Sequence, residues 1–381
     1  LTSLLDPIAS VPPPRTGIAI TPALRHFFKA IPKVELHCHL LGAVRKSTFE
    51  DLRNRNQAPI EQARIDALYH RGEKPIGAIP VLRALESQLL TRLDDFHRIT
   101  YEYLEDASQD NIRHAELFWN PTATLRNGIL NYRDIQAAIH AGMADGGKDF
   151  GISAGLIPAV DREASPEEAV ELAQLMIDHR APRTLGLGID YREVDRPPEL
   201  FAQAFQLVKK AGFYCTAHAG EYGMGWQNIA TAIDLLSVDR LDHGYTVIDN
   251  PALAQRCADR GILFTIVPTN SYYLRELTPE TWASDHPVLR MAELSLKIHP
   301  NSDDPTLHHI TQAGAFEVMH THFGFSFPQL RQMMLDGIEG SWVDSSQKRD
   351  WCADFSAEFD QLAQDYAAQT DRDIRPSRII L

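Results

Sequence analysis

Short apolar runs alternate with longer stretches in which apolar residues recur three and four apart, and this alternation continues along most of the chain. The first run, Val34-Glu35-Leu36-His37-Cys38-His39-Leu40, is followed by a polar-to-helical region from Lys46 to Asp110. In that region Ile60 to Tyr69, Ile79 to Leu90 and Leu93 to Ala107 carry helical spacing. Seven further runs follow: Ile112 to Phe118, Gly151 to Ile157, Leu185 to Asp190, Phe213 to His218, Arg240 to Gly244, Ile262 to Val267 and Leu296 to Asn301. Between them lie the helical stretches Tyr132 to Ala144, Pro166 to His179, Pro198 to Lys210, Ile229 to Leu236 and Ala252 to Arg260. Strand and helix in alternation imply a parallel sheet, and eight such units imply an α/β fold closed as a single (β/α)8 TIM barrel.

The expected architecture is one domain over residues 1–381, with a helical insertion after strand 1 and extra C-terminal helices between Phe325 and Ala368. An open doubly wound sheet is the alternative, weakened because no Gly-x-Gly-x-x-Gly turn follows a strand. Val11-Pro12-Pro13-Pro14 marks residues 1–20 as an extended N-terminal arm. Thr21-Pro22 then opens a short helix to Lys29, with Thr21 as the N-cap.

Composition narrows the class without choosing a chemistry. The 381 residues are 44% hydrophobic and 23% charged, which suits a globular protein with a sizeable core. A net charge of −14 and no long basic block argue against nucleic-acid and anionic-membrane partners and leave a small molecule. The four cysteines stand far apart with no Cys-x-x-Cys, as expected for a reducing, cytoplasmic setting. Neither an apolar run long enough to cross a bilayer nor a secretory leader is evident.

The chemistry lies at the ends of the runs. Residues two apart in a strand share a face, so His37 and His39 point together, with Cα atoms roughly 6.6 Å apart at about 3.3 Å per residue. Taken alone, the pair reads more readily as two histidines that happen to be neighbours than as metal ligands. Barrel enzymes, however, collect their catalytic groups at the carboxyl ends of the strands. There the fifth run adds His218-Ala219-Gly220-Glu221, the sixth Asp242-His243-Gly244, and the eighth Asn301-Ser302-Asp303-Asp304-Pro305. Three histidines and an aspartate would make a zinc site with room for water, and zinc lowers the pKa of a bound water to about 7.

These four segments, in this order and together with Lys33, resemble the signatures of the adenosine and adenine deaminase family of the amidohydrolases. The resemblance implies one zinc ion per chain, held by His37, His39, His218 and Asp303. It further implies that Glu221 protonates ring nitrogen N1 of a 6-aminopurine while hydroxide adds to C6. His243 would orient the hydroxide, and Asp304 would hydrogen-bond the hydroxide or the substrate edge. Asp242 is expected to orient a neighbour rather than to act on substrate. Gly188, Glu193 and Leu41 are the candidate substrate-binding positions, with Glu193 either reading the purine edge or lying on the surface. The loop Thr269 to Tyr273 is a further candidate wall.

Leu41 departs from the family, which usually has an acidic residue there; leucine cannot accept a hydrogen bond from a ribose hydroxyl. The implied activity is zinc-dependent hydrolytic deamination, with adenosine the default substrate and adenine or a modified adenine close behind. Two alternatives remain: an amidohydrolase acting on another amine, cyclic amide or ester, and a zinc-binding relative without turnover.

Overall fold

The computed structural model describes residues 16–70, 78–221, 223–269, 277–278 and 280–374. The expected arm falls outside them up to residue 15, and residues 16–20 form no regular element. Even so, Ile18 and Ile20 pack against the core, and the Thr16 hydroxyl donates to the Thr321 carbonyl. This end of the arm is therefore docked rather than merely extended. The helix that follows, Pro22–Ala30, starts as its sequence requires: the Thr21 hydroxyl accepts from the Leu24 N–H and Pro22 occupies the first turn.

Eight strands follow: β1 (Lys33–His39), β2 (Ile112–Trp119), β3 (Ser153–Asp161), β4 (Gly186–Asp190), β5 (Tyr214–Ala219), β6 (Arg240–His243), β7 (Leu263–Ile266) and β8 (Lys297–Pro300). Each pairs in parallel with the next, in chain order. Closure comes just beyond β8. The His39 N–H donates to the Asp303 carbonyl at 2.8 Å and the Asp303 N–H to the His37 carbonyl at 2.9 Å, forming a parallel bridge between Cys38 and Asp303. The Asn301 side chain adds a bond from the Leu36 N–H at 2.9 Å. The predicted (β/α)8 barrel is thus present. With both faces covered, its strands are buried on inward and outward positions alike, as expected of parallel sheets.

The insertion after β1 consists of helices Lys46–Asn56, Gln62–Leu68, Ile79–Ala84 and Leu93–Gln109, with a turn of π-helix at Leu85–Leu89. Ile79 to Leu90 reads as one helix in the sequence; in the fold its second half is π-helical. Helix Tyr132–Phe150 runs past Ala144 through Gly146 and Gly147. The reason is packing: a Cβ on Gly142 would lie 2.6 Å from the His97 carbonyl oxygen, and one on Gly146 2.7 Å from the Leu104 side chain. The glycines let this helix approach Leu93–Gln109 closely instead of ending it. At the C-terminus, Phe327–Gly340 and Ser345–Ile374 are the expected extra helices. Among the described residues no helix is long and apolar enough to cross a membrane.

Candidate active site

The strand ends deliver their side chains to one place. His37 and His39 enter from β1, His218 from β5, and Asp303 from the closing segment after β8. Nε2 of His218 lies 3.0 Å from Nε2 of His37 and 3.2 Å from Nε2 of His39. Asp303 Oδ1 lies 3.2 Å from His39 Nε2 and 3.6 Å from His37 Nε2. All four residues are buried.

What these nitrogens carry follows from the other side of each ring. His37 Nδ1 faces the Thr265 carbonyl at 3.2 Å, and a carbonyl can only accept, so Nδ1 bears the proton. His218 Nδ1 faces Asp242 Oδ2 at 3.2 Å and His39 Nδ1 faces Asp190 Oδ2 at 3.4 Å. In each ring Nδ1–H points outward and the Nε2 lone pair points inward. Three lone pairs and a carboxylate oxygen converging at such distances repel one another; a divalent cation resolves the arrangement, and this donor set is a zinc set. The four residues form a site for one zinc ion.

The supports are themselves fixed. Asp242 accepts from the Thr216 hydroxyl at 2.9 Å and the Thr265 hydroxyl at 2.8 Å, and Asp190 from the Asn120 amide at 2.6 Å. Burial opposes charge on Asp242, but the hydrogen bond to His218 and the surrounding rings hold its carboxyl well below the usual range. Beneath the histidines the Phe118 ring forms a floor, stacked on His39 at 5.1 Å and edge-on to His37 and His218.

Around this centre lie the other predicted groups. Glu221 Oε1 is 3.5 Å from His243 Nε2, and Glu221, His243 and Asp303 can share one ion-sized space. Burial, and next the charges of Asp303 and Glu193, push the Glu221 carboxyl well above the usual carboxylate range. Burial, then the neighbouring His37 and His218, keeps His243 well below the usual imidazole range. His243 Nδ1 lies 3.4 Å from the Tyr245 hydroxyl oxygen, which also accepts from the Val267 N–H and donates to the Val267 carbonyl, so His243 presents Nε2 to the site. His243 and Asp303 have φ of 63° and 65°, left-handed conformations that cost roughly 1–3 kcal/mol each for such residues and persist where surrounding contacts over-determine them.

The three substrate-binding candidates fare differently. Glu193 does not lie on the surface. It is buried, accepting from the Gly220 N–H at 2.9 Å, the Glu221 N–H at 3.1 Å and the Asn228 amide at 2.8 Å. Its carboxylate is occupied in holding the turn that carries Glu221. That turn also needs Gly220, at φ 69° with Thr246 and Ile229 against the position of a Cβ. Gly188 lies against the Phe118 ring: a Cβ there would come within 2.7 Å of it. Leu41 is buried just beyond β1. Of the loop Thr269 to Tyr273, only Thr269 lies within the described residues, where it is buried.

Sequence reasoning missed His308. Its Nε2 is 3.6 Å from Asp304 Oδ2 and its Nδ1 3.8 Å from Asp303 Oδ2. The available signal was spacing, since Pro305 at a first helical position puts residues 304 and 308 one turn apart.

Comparison with known proteins agrees with this geometry. A family model described as adenosine deaminase matches residues 32–355. The crystal structure of an amidohydrolase from Burkholderia ambifaria with bound zinc is 59% identical, with a TM-score of 0.92 over 94% of this chain and 98% of that one. An adenine deaminase from Pseudomonas putida is 31% identical over 83% of this chain and 99% of its own length. The crystal structure of adenine deaminase from Arthrobacter aurescens is 27% identical, with a TM-score of 0.79 over 88% of this chain and 100% of that one. With its four zinc ligands brought together at the mouth of a closed barrel, the chain belongs to the adenosine deaminase family of the amidohydrolase superfamily.

Proposed function

We propose that this protein is a zinc-dependent hydrolase that converts a 6-aminopurine, as free base or nucleoside, and water to the 6-oxopurine and ammonia. The observation that carries the proposal is a site for one zinc with a buried acid and a buried imidazole beside it. A closed structural zinc site has no use for either.

Zinc held by His37, His39, His218 and Asp303 supplies Lewis acidity and brings a water's pKa to about 7. The remaining work falls to the chain. Glu221, whose carboxyl burial pushes well above the usual carboxylate range, gives its proton to the ring nitrogen next to the carbon under attack. His243, kept neutral and facing Glu221 at 3.5 Å, accepts a proton from the attacking water and fixes its direction. Asp304 accepts a hydrogen bond from the water or the purine edge. Glu193 holds the Gly220-Glu221 turn in place and so acts through Glu221.

On the substrate, Leu41 offers no acceptor to a ribose hydroxyl, and two of the relatives described above are named adenine deaminases. Both favour adenine or a modified adenine over adenosine. The free cysteines, three of them buried, fit a cytoplasmic enzyme.

The test is ammonia release by zinc-loaded protein from adenine, adenosine, deoxyadenosine and N6-substituted purines, with metal analysis alongside. Turnover of at least one, with about one zinc per chain, supports the proposal. No release from any removes the purine assignment.

A further inference from the structure

We propose that His308 is a positioning residue for the deaminase site, holding the Asp304 carboxylate in place and apart from that of Asp303. The inference goes beyond the ligand and proton-transfer roles above and rests on the function proposed there.

Asp303 and Asp304 are adjacent in sequence and both buried, so their carboxylates repel in a medium that screens poorly. Two features constrain Asp304. On one side is Gly42, where a Cβ would fall 1.7 Å from Asp304 Oδ1; only the bare backbone leaves space for that oxygen. On the other is the His308 ring, with Nε2 towards Asp304 Oδ2 and Nδ1 towards Asp303 Oδ2. An imidazole spanning two carboxylates keeps each on its own side.

The ring is well held. The N–H groups of His308 and Leu307 both donate to the Asp304 carbonyl, at 2.7 and 3.0 Å, fixing a single helical turn whose first residue is Pro305. Thr306 ties this turn to the exit of β1, its hydroxyl donating to the Ala43 carbonyl at 3.0 Å. His309 ties it to the insertion, with Nε2 2.8 Å from the Tyr69 carbonyl, and the Tyr69 hydroxyl returns to the Val44 carbonyl at 3.1 Å. The β1 exit, the β8 exit and the insertion thus meet at one turn, and His308 is its inward-facing member.

The experiment compares His308→Phe and His308→Gln with the wild type on whichever purine the wild type deaminates fastest, together with zinc content and side-chain 15N NMR of the histidines. His308→Phe is expected to lower kcat by about 10- to 50-fold with KM within about threefold and zinc unchanged at about one per chain. His308→Gln, which keeps an N–H near Asp304, should recover to within about threefold of wild type. In the spectra, Asp304→Asn should shift the His308 ring signals. A kcat for His308→Phe within about twofold of wild type overturns the proposal, as do His308 signals indifferent to Asp304→Asn. Two zinc ions per wild-type chain, falling to one in His308→Phe, overturn it in favour of a ligand role. If the wild type deaminates no purine, the assigned reaction fails on its own, and the spectra still decide whether His308 and Asp304 are coupled.

Discussion

The barrel encloses buried polar groups at both ends, and the two ends are built on opposite rules. At the amino ends of the strands the buried charges of Arg240 and Lys33 meet partners of opposite character within the chain. Arg240 at the start of β6 forms an ion pair with Glu116 and donates to the Leu36 carbonyl at 3.0 Å, while its guanidinium lies 4.1 Å from the centre of the Trp342 ring. Lys33 at the start of β1 donates to the carbonyls of Phe28, Lys29 and Ile31 at 2.8, 3.2 and 2.7 Å, closing the last turn of the first helix. At the carboxyl ends, groups of one kind face each other: three imidazole lone pairs and a carboxylate oxygen. The contrast shows that burial and hydrogen bonding alone do not mark a functional site. What marks it is a buried polar cluster that cannot be satisfied from within the chain.

The contrast can be broken or sharpened by experiment. The largest effect is expected from His218→Ala, which should remove zinc and bring deamination down to the assay background while leaving the fold intact by circular dichroism. Zinc retained at wild-type content in that variant would contradict the ligand assignment. Next is Glu221→Gln, for which we expect a loss of about 10²- to 10⁴-fold in kcat with zinc still bound. A variant with wild-type turnover would take Glu221 out of the proton transfer. At the other end the readout is stability, not turnover. Glu116→Ala strands the Arg240 guanidinium and should cost roughly 3–5 kcal/mol in denaturant unfolding. The two ends would be alike after all if this change proved as mild as Glu221→Gln in the same melt.

Two subtler changes refine the comparison. Asp242→Asn keeps the shape of the support but weakens its hold on the His218 ring, and should reduce zinc affinity by about 10- to 100-fold in a chelator competition. Lys33 tests the satisfied end. Burial lowers its pKa from 10.5 to about 8, against the opposing pull of Asp110. Below pH 8 both folded and unfolded chains hold the proton and the full cost of the buried charge is present. Between about 8 and 10.5 the folded chain releases it first, so stability from this residue rises with pH, by no more than roughly 3 kcal/mol in all. Unfolding midpoints of wild type and Lys33→Met from pH 7 to 10 should therefore diverge in favour of the wild type. A constant difference would mean that Lys33 stays charged throughout.

The parts legible in the sequence are those set by short-range periodicity. Alternation along Val34 to Leu40 put His37 and His39 on one face, and eight repeats of strand and helix fixed the barrel, which in turn placed His218, His243 and Asp303 at its mouth. Whatever depends on which loop approaches which was not legible. Glu193 looks like a solvent-facing or substrate-facing acid until the Gly220-Glu221 turn is seen to sit on it. Nothing in the sequence shows that the Phe118 ring packs against Gly188. His308 lies just outside the Asn301 to Pro305 motif, and only the helical turn that starts at Pro305 brings its ring back to Asp303 and Asp304. The π-helical turn at Leu85–Leu89 is hidden for a related reason. Its Glu86 pairs with Arg83 three residues before it at 3.1 Å, but it is buried against the Tyr191 hydroxyl at 2.7 Å, a contact made by the folded surroundings rather than by local spacing.

Asp303 serves the ring twice, its backbone stitching the eighth strand to the first and its carboxylate completing the ligand set. A nascent polypeptide still on the ribosome, with its final strand unmade, has histidines but neither the fastening nor the fourth donor. The complete ligand set thus depends on closure of the ring, so an apoprotein with an intact ring should differ from a chain cut before Asp303 in recovering when the cation is supplied.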